Sequence, residues 1–306
     1  MKFSIITPSF KQPDWLKLCV KSVKDQVGDG IEVEHIIQDA GTPDIETLIG
    51  SEETPGYSRK LIVEKDNGIH DAVNRGWRKA TGDILFYINC DEQLLIGALG
   101  GVAEWFKKNP KTDMLFTDVV VTDVDGSYVC HRQSLPPQRL HCSLARGDGL
   151  SFFTLGCFFR REALLKHQLF FDGTFFTNAD AKWGFQIAAA KGLRIKCIRY
   201  LTSIYSQTGY NMGRFTRKED VMKCLRLTSP HLRFLFPVLK YHLKLRRLLA
   251  GFFDNYPFSY SIYTPDSPDQ RRFFYAMHPT QKWKWVTQND DETIKKLAEE
   301  KTKGEK

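Results

Sequence analysis

Short apolar runs alternate with amphipathic segments along the first 90 residues of the chain. The runs are rich in β-branched and aromatic residues and predict four buried strands, at 3–7, 33–38, 61–63 and 84–88. Apolar positions with helical spacing predict helices between them, at 14–27, 43–49 and 70–80. Strands that alternate with helices form a parallel sheet with right-handed crossovers. The pattern therefore predicts an α/β fold, with a Rossmann-like, mostly parallel sheet flanked by helices.

The pattern is more mixed in the second part of the chain. Its predicted elements are a helix at 96–108, a hairpin of 114–122 with 128–131, a strand at 150–159, helices at 161–167 and 177–191, and a strand at 194–200. Residues 218–306 are predicted to form a helical, basic extension that ends in a charged tail at 290–306.

Polar residues follow three of the predicted strands: Thr7 and Ser9, Asp39, and Asn89 with Asp91. The first strand is expected to end at Pro8, because proline cannot donate to a central ladder. Since the carboxyl ends of parallel strands share one edge, where open α/β sheets bind ligands, these side chains should lie close together. A hard divalent cation held there by a carboxylate would gather a diphosphate.

Composition narrows the class of protein without selecting a chemistry. The seven cysteines of the 306 residues are scattered, with no C-x-x-C pair, which indicates neither a disulfide framework nor a zinc site. A reducing compartment follows, and the lack of a signal-peptide core or a membrane-length apolar run predicts a cytoplasmic protein. The formal charge of +8 suits several anionic partners. Nucleic acid is disfavoured among them, because the acidic strand ends would repel a phosphate backbone.

Four sequence blocks stand in order along the chain. They are Ser4-Ile-Ile-Thr7-Pro8-Ser9-Phe10, Glu34-His35-Ile-Ile-Gln-Asp39, Glu64-x-Asp66-x-Gly68-Ile69-x-Asp71-Ala72-x-Asn74-x-Gly76, and Gly82-Asp83-Ile84 running into Asn89-x-Asp91-Glu92. Together they resemble the family-two glycosyltransferases, the large inverting group with the A-type nucleotide-sugar fold, and most closely its bacterial members that build surface polysaccharides. The resemblance covers roughly residues 1–213. It implies a catalytic domain over 1–217, with a nucleotide-binding half at 1–110 and an acceptor-binding half at 111–217.

The resemblance implies a role for each strand end. Asp91 takes the last position of the family's D-x-D motif and would bind a divalent metal, Mn²⁺ or Mg²⁺, whereas Asn89 replaces the commoner aspartate at the first position. Asp39 would accept from a ring N–H of the nucleobase, and Thr7, Pro8 and Ser9 would line the base and ribose. Two alternatives stay open: Asp91 and Glu92 cap a following helix, and Asp39 forms a turn.

The third block would contact the nucleotide through a loop and the first turns of a helix. Gly68 would let the backbone approach the ligand without a Cβ, and Asp66, Asp71 and Asn74 would supply polar contacts. The alternative is ordinary capping of that helix by Asp66 or Asn67.

An inverting transfer needs one base to take the proton of the acceptor hydroxyl. In the family this acid opens a downstream helix, and Asn178-Ala179-Asp180 stands in that place. Asp180 is therefore the predicted catalytic base, with Asp172 as the second choice and a solvent-exposed first-turn carboxylate as the alternative.

Two segments depart from the family pattern. The His-Gln pair expected before Phe158-Phe159-Arg160-Arg161-Glu162 reads Thr154-Leu155, which leaves acceptor contacts undefined. Residues 206–213 stand where a Gly-Gly-x-Ser loop is common, and they form either a lid over the diphosphate or a plain surface loop.

The predicted function is transfer of a hexose or N-acetylhexosamine from a UDP-sugar to a glycan or lipid-linked acceptor. Leu-rich 232–253 carries five basic residues and no acid, so it suits an anionic membrane at the inner face, or packs on the core with solvated charges. A nucleotide-sugar binding module without catalysis is the other functional candidate. A nucleotidyltransferase would need a Gly-rich basic loop after the first strand, where this chain has Pro8-Ser9-Phe10-Lys11-Gln12.

Overall fold

The computed structural model describes residues 1–28, 30–50, 54–138, 151–209, 211, 218–227, 234–252 and 254–282. Its strands are β1 (Lys2–Ser9), β2 (Glu32–Asp39), β3 (Tyr57–Val63), β4 (Ile84–Tyr87), β5 (Glu92–Leu94), β6 (Met114–Asp123), β7 (Tyr128–Arg132), β8 (Cys157–Arg160), β9 (Ile195–Gln207), β10 (Phe258–Thr264) and β11 (Ser267–Ala276). Its helices are α1 (Pro13–Lys24), α2 (Ile45–Ile49), α3 (Ile69–Lys79), α4 (Ala98–Lys108), α5 (Arg161–His167), α6 (Ala179–Ala189), α7 (Lys218–Arg226) and α8 (Phe236–Leu249), with a 3₁₀ turn at Thr154–Gly156.

One mixed sheet organises the described chain. Its strand order is β3-β2-β1-β4-β8-β6-β9-β5, with β7 paired to β6. The first four strands are parallel, as the sequence pattern predicts, and the crossover helices α1 and α3 pack against them. β8 runs antiparallel to both β4 and β6, and β9 returns parallel to β6. The α/β class and the helix-flanked, mostly parallel first half are confirmed.

Alternation along β1 divides the core between the two faces of the sheet. Phe3 and Ile5 belong to a buried cluster with residues of α1 and α4, whereas Ile6 packs in a second cluster with residues of α3 and α6. All three side chains are fully buried. The period of two therefore lets one central strand bind helices on both faces.

A glycine sets how closely α3 approaches this strand. A Cβ placed on Gly76 would lie 2.6 Å from Cγ2 of Ile6. The third sequence block thus contains a packing residue as well as polar groups, because a side chain at Gly76 would push the helix away from β1.

Two sequence-based expectations on the parallel strands are wrong. β1 does not end at Pro8 but continues to Ser9, since beyond Ile6 it pairs only with β2 and Pro8 lies outside the β4 ladder. Asp91 and Glu92 do not cap a helix, because Glu92 begins the short strand β5, which pairs with β9, and α4 starts only at Ala98.

The prediction of a purely helical extension is incomplete. α8 is followed by the β10–β11 hairpin, whose alternating residues Tyr260 and Ile262 are buried in a cluster with residues of β6 and β9. Tyr260 donates from its hydroxyl to the Gly126 carbonyl (2.7 Å), which attaches the hairpin to the β6–β7 turn. The tail at 290–306 lies outside the described residues. No helix within the described part of the chain is long and apolar enough to cross a membrane.

Candidate active site at the carboxyl edge of the parallel strands

The carboxyl ends of the first strands lie side by side, as their polar residues predict. Ser9 is the register partner of Asp39, and Asp39 is the partner of Val63. The Glu64 amide donates to the Asp39 carbonyl (3.0 Å), so the ladder extends to the first residue of the third block. This edge is therefore where three of the four sequence blocks meet.

Asp39 holds the turn that follows β2. Its Oδ1 accepts from the amides of Gly41 (2.9 Å) and Thr42 (2.6 Å), and its Oδ2 accepts from the Thr42 hydroxyl (2.9 Å). The side chain is fully buried. Within the chain, Asp39 therefore forms a turn, which was the alternative role. Its contact with a nucleobase stays a prediction.

Thr7 and Ser9 differ in what they present to this edge. Thr7 is fully buried, and its hydroxyl is bonded to Nε2 of His35 (2.9 Å). Burial lowers the pKa of His35 to about 3, so the ring is neutral. Any nucleotide contact from Thr7 would therefore have to come from its backbone. The buried Ser9 hydroxyl has no hydrogen-bond partner among the described residues and remains able to bind a ligand.

The third block forms a bonded loop before α3. Asp66 accepts from the Gly68 amide (2.8 Å), and Gly68 takes φ +108°, a conformation that L side chains rarely adopt. Asp71 accepts from the Asn67 amide (3.0 Å) and from Arg75 (2.8 Å). Although burial alone would raise the pKa of Asp71, these two donors lower it below its usual range. Asp71 is consequently an anion that is already partnered within its own helix.

Asn74 joins α3 to the loop before α6. Its Nδ2 donates to the Phe171 carbonyl (2.9 Å), and its Oδ1 accepts from the Phe171 amide (2.9 Å). The residue is 6% exposed. These bonds engage both ends of the amide and give Asn74 a structural role, and its contact with a nucleotide stays a prediction.

The chain turns sharply after β4 and presents the fourth block. The Asn89 amide donates to Oε2 of Glu92 (2.8 Å), and the Tyr87 hydroxyl donates to Oδ1 of Asn89 (2.7 Å). Asn89 is half-buried, and the bond from Tyr87 fixes which side of its amide carries Oδ1 and which carries Nδ2. Tyr87 was not singled out from the sequence, where it reads only as one more apolar strand position.

Asp91 lies under the segment that follows β9. Its Oδ2 accepts from Nδ2 of Asn211 (2.9 Å) and from the Thr208 hydroxyl (3.3 Å). Asn211 also donates to the Ser206 carbonyl (2.9 Å). The described residues of 206–213 thus contact the acidic motif, which the sequence could only suggest by position.

Two neighbouring carboxyl groups dominate the electrostatics of this turn. Burial raises the pKa of Asp91, and burial together with the charge of Asp91 raises the pKa of Glu92. Within the described residues neither forms an ion pair, and no group of three or more His, Cys, Asp or Glu side chains lies together to hold a metal. These two carboxyl groups are too few to bind a metal ion by protein ligands alone. They do fit a cation that one carboxylate shares with a diphosphate, which is the usual way Mg²⁺ is bound.

Asp180 lies on the first turn of α6 beside the same residues. Asn178 precedes the helix with φ +59°, a left-handed conformation that asparagine tolerates, and Oδ1 of Asp180 accepts from the Ala181 amide (2.8 Å). Burial raises the pKa of Asp180. Burial also raises the pKa of the Tyr87 hydroxyl, and the charges of Glu92, Asp91 and Asp180 raise it further. The charges of Asp180 and Asp91 therefore both act on one side chain, the Tyr87 hydroxyl.

Aromatic packing and a buried acid position α6. Trp183 stacks at 5.9 Å from Trp77 of α3, and its indole N–H donates to the Leu169 carbonyl (2.7 Å). Asp220 of α7 is fully buried and accepts from the amides of Phe176 (3.1 Å) and Thr177 (2.8 Å), just before Asp180. Sequence reasoning missed Asp220, since an acid on a basic helix usually faces solvent.

Comparison with known proteins gives consistent results. The profile described as Glycosyl transferase family 2 matches residues 4–169. A PGL/p-HBAD biosynthesis glycosyltransferase of Mycobacterium bovis is 30% identical over 170 residues, which are 53% of this chain and 65% of that protein. The chain thus spans slightly less than two thirds of such a relative. An uncharacterized glycosyltransferase of Mycobacterium tuberculosis is 40% identical over 88 residues, 28% of this chain and 32% of its own.

Solved structures with the same fold include S. aureus TarS. Its 1–349 fragment in complex with UDP-GlcNAc has a TM-score of 0.55 and 16% identity, over 74% of this chain and 65% of that one. The complex of the same fragment with UDP has a TM-score of 0.52 and 15% identity, over 74% of this chain and 64% of that one. At such low sequence identity the likeness shows the fold alone. This fold is the A type, a mostly parallel sheet that is flanked by helices.

Proposed function

Because the chain belongs to glycosyl transferase family 2, we propose that it is an inverting glycosyltransferase. The donor is a nucleoside-diphosphate sugar, with a UDP-linked hexose or N-acetylhexosamine as the first choice, and the acceptor is a hydroxyl of a glycan or lipid-linked sugar. The observation that carries the proposal is that Ser9, Asp39 and Asp91 stand at or just beyond the carboxyl ends of the adjacent parallel strands β1, β2 and β4, while the charge of Asp180 acts on Tyr87 at the end of β4.

Asp180 is the proposed catalytic base. It would accept the proton of the acceptor hydroxyl as that oxygen attacks the anomeric carbon, while the bond from this carbon to the diphosphate breaks. Burial raises the pKa of Asp180 towards neutral pH. A higher pKa makes the carboxylate a stronger base. Its half-buried position leaves one side accessible to an acceptor.

Asp91 is the proposed ligand for a divalent cation, Mn²⁺ or Mg²⁺, that arrives with the donor. Such an ion would neutralise the developing charge of the leaving diphosphate. Two adjacent acids with raised pKa values, and no ion-pair partner in the described part of the chain, support a cation there. Asn211 and Thr208 orient the Asp91 carboxylate for this role.

The other predicted donor contacts are proposed from hydrogen-bonding capacity and position. The unpartnered Ser9 hydroxyl is proposed to bond the ribose, and Asp39 to accept from the base while it holds its turn. Gly68, which has no Cβ, is proposed to let the donor approach the loop before α3, which its bond to Asp66 holds in place. Asp71 and Asn74 are proposed to act by stabilising that loop, because their own bonds are within the chain.

A donor panel with two paired variants tests the proposal. Purified protein with Mn²⁺ or Mg²⁺ is screened for nucleotide release and thermal shift with UDP- and GDP-sugars. Asp180→Asn is expected to lower turnover by about 10²–10⁴-fold, the usual contribution of a general base, while donor affinity is kept. Asp172→Asn is the matched control, because Asp172 is a neighbouring acid whose Oδ1 is bonded to Thr174 in a turn.

Each outcome assigns the function or rejects it. If Asp180→Asn changes nothing although the donor binds, the chain is a nucleotide-sugar binding module without catalysis. If Asp172→Asn loses turnover instead, the base assignment is wrong. A response to GDP-sugars alone would reject the UDP choice, and donor binding unaffected by a chelator would reject Asp91 as a metal ligand.

A further inference from the structure

Helix α8 carries two apolar stripes instead of one. Leu239 and Leu243 are each 4% exposed and form one stripe with the half-buried Phe236. A second stripe consists of Val238, Tyr241, Leu245 and Leu248, which are 51–75% exposed. We call these four residues the α8 stripe.

Helical geometry places the α8 stripe on one line. Its members are spaced three, four and three residues apart, so at about 100° per residue they fall on one face. The same rotation puts Leu239 and Leu243 on the opposite side of the helix. One face of α8 therefore belongs to the protein interior, and the other presents large apolar groups to the surroundings.

The ends of the helix extend this apolar surface. Phe234, just before the helix, is 92% exposed, and Leu249, its last residue, is 78% exposed. An open groove of about 300 Å³ is lined by Tyr241, Lys244, Leu245 and Leu248. Soluble proteins rarely leave such a contiguous row of large apolar side chains without an occupant.

The charges of α8 indicate the chemistry of that occupant. The helix contains Lys240, Lys244, Arg246 and Arg247 and no acidic residue. Lys240 and Lys244 are exposed and form no ion pair among the described residues. An apolar face bordered by lysines is the pattern of helices that lie in the interface of an anionic bilayer. A second copy of the chain would bring these lysines against like charges.

We infer that the α8 stripe inserts into the headgroup region of an anionic phospholipid bilayer, with α8 parallel to the membrane plane. Tyr241 has an apolar ring and a polar hydroxyl, which suits the boundary between headgroups and acyl chains. The inference goes beyond sugar transfer and does not depend on it.

Vesicle sedimentation tests the inference with the full chain. Vesicles of phosphatidylcholine alone are compared with vesicles that contain one third phosphatidylglycerol. The protein is expected to sediment with the anionic vesicles and at least about tenfold less with the neutral ones, with binding that weakens as salt increases. The double variant Leu245→Glu, Leu248→Glu changes exposed residues only, and it is expected to lose binding to anionic vesicles.

Charge variants provide the matched comparison. Lys240→Glu, Lys244→Glu is expected to lose binding, whereas Lys107→Glu, Lys111→Glu has the same change of charge at exposed positions outside α8 and should keep it. Circular dichroism and nucleotide-sugar thermal shift confirm that each variant is folded. Equal loss in both lysine pairs would show a general charge effect and overturn the inference.

Other occupants give different results. Sedimentation velocity without lipid shows whether the stripe joins two copies, since Leu245→Glu, Leu248→Glu would then convert a dimer into a monomer. A dimer of that kind, or a full chain that binds no anionic vesicle, overturns the inference.

Discussion

At the scale of single residues, Asn89 gives this site its individual character. An aspartate at this position would add a third acid to Asp91 and Glu92, whose pKa values burial already raises. The neutral amide avoids that repulsion. Because Oδ1 accepts from Tyr87, the orientation of the side-chain amide is defined, and Nδ2 is the donor that this side chain still offers. We propose that Asn89 donates to the donor substrate, while Asp91 alone supplies negative charge.

Tyr87→Phe tests this orientation. The variant keeps the ring, which packs edge-on against Phe171 at 6.1 Å, but it removes the donor to Asn89. Loss of one bond to a half-buried amide is expected to cost about 1–3 kcal/mol. If this cost falls on donor binding, the Michaelis constant for the donor should rise about 5- to 160-fold, with a smaller change in turnover number.

Tyr200→Phe is the control for Tyr87→Phe. Tyr200 of β9 also donates from its hydroxyl to an oxygen, the carbonyl of Gly97 at 2.9 Å, but this bond joins β9 to the residue before α4 and does not involve Asn89. Steady-state kinetics over a range of donor concentrations should be unchanged in this variant. An unchanged Michaelis constant in Tyr87→Phe would show that Asn89 needs no partner to bind the donor.

At the scale of elements, the sequence predicts secondary structure best where the hydrophobic pattern of a segment alone determines whether it is a strand or a helix. β1 to β4 and α1 and α3 appear in the predicted order, and α5 matches its predicted range of 161–167. β5 could not be predicted, because three residues have no period and the strand exists only through its pairing with β9. Likewise the hairpin of β10 and β11 contains an aromatic alternation within the range that was predicted to be a helical extension.

Site residues follow the same division between local and distant partners. The edge position of Ser9, Asp39 and Asp91 could be predicted because each stands at or shortly after the end of a predicted strand. The bonds of Asn74 to Phe171 and of Asp220 to Thr177 join segments far apart in the chain, so no local pattern reveals them. The sequence therefore predicts which edge of the sheet is functional, but not which polar groups there are already engaged in holding the fold.

Gly76→Ala is expected to destabilise the protein, because α3 packs closely on β1. The added methyl would overlap the buried, β-branched Ile6, and overpacking costs about 1–3 kcal/mol. Higher helix propensity offsets at most about 1 kcal/mol of this. Urea unfolding should therefore show a lower free energy of unfolding for the variant.

Gly100→Ala provides the opposite expectation in α4. Its Cβ would meet only Cδ1 of Ile31, at 4.0 Å, so it adds helix propensity without a collision. This variant should be up to about 1 kcal/mol more stable than the natural chain. Equal effects of the two substitutions would show that close packing of α3 on β1 is not what requires glycine.

At the scale of the whole molecule, one buried acid connects the sheet to the segments around it. Asp118 of β6 is 4% exposed, accepts from the Ser134 amide (3.3 Å) and lies 3.4 Å from Arg199 of β9. Arg199 in turn stacks at 5.6 Å over Phe252, which follows α8. Burial raises the pKa of Asp118 from 3.8 to about 7, although Arg199 opposes the shift.

This raised pKa makes stability depend on pH in a defined direction. The folded state holds the Asp118 proton more tightly than the unfolded state, so the stabilisation is complete below pH 3.8 and is lost as pH rises through about 7. Relative to Asp118→Asn, the natural protein should lose up to about 4 kcal/mol of unfolding free energy between pH 4 and pH 8, at about 1.4 kcal/mol per unit of pKa. Urea unfolding of both proteins at several pH values measures this difference.

Asp113→Asn should show the opposite sign. Asp113 stands just before the same strand, and its bidentate pair with Arg194, at 2.9 and 2.7 Å, lowers its pKa below 3.8. Its stabilisation is present above pH 3.8 and is lost only as pH falls through the lowered pKa. The difference between the natural protein and this variant should therefore be nearly constant from pH 5 to pH 8 and decrease in acid. Parallel curves for Asp118→Asn and Asp113→Asn would show that net charge, rather than burial of Asp118, governs the response to pH.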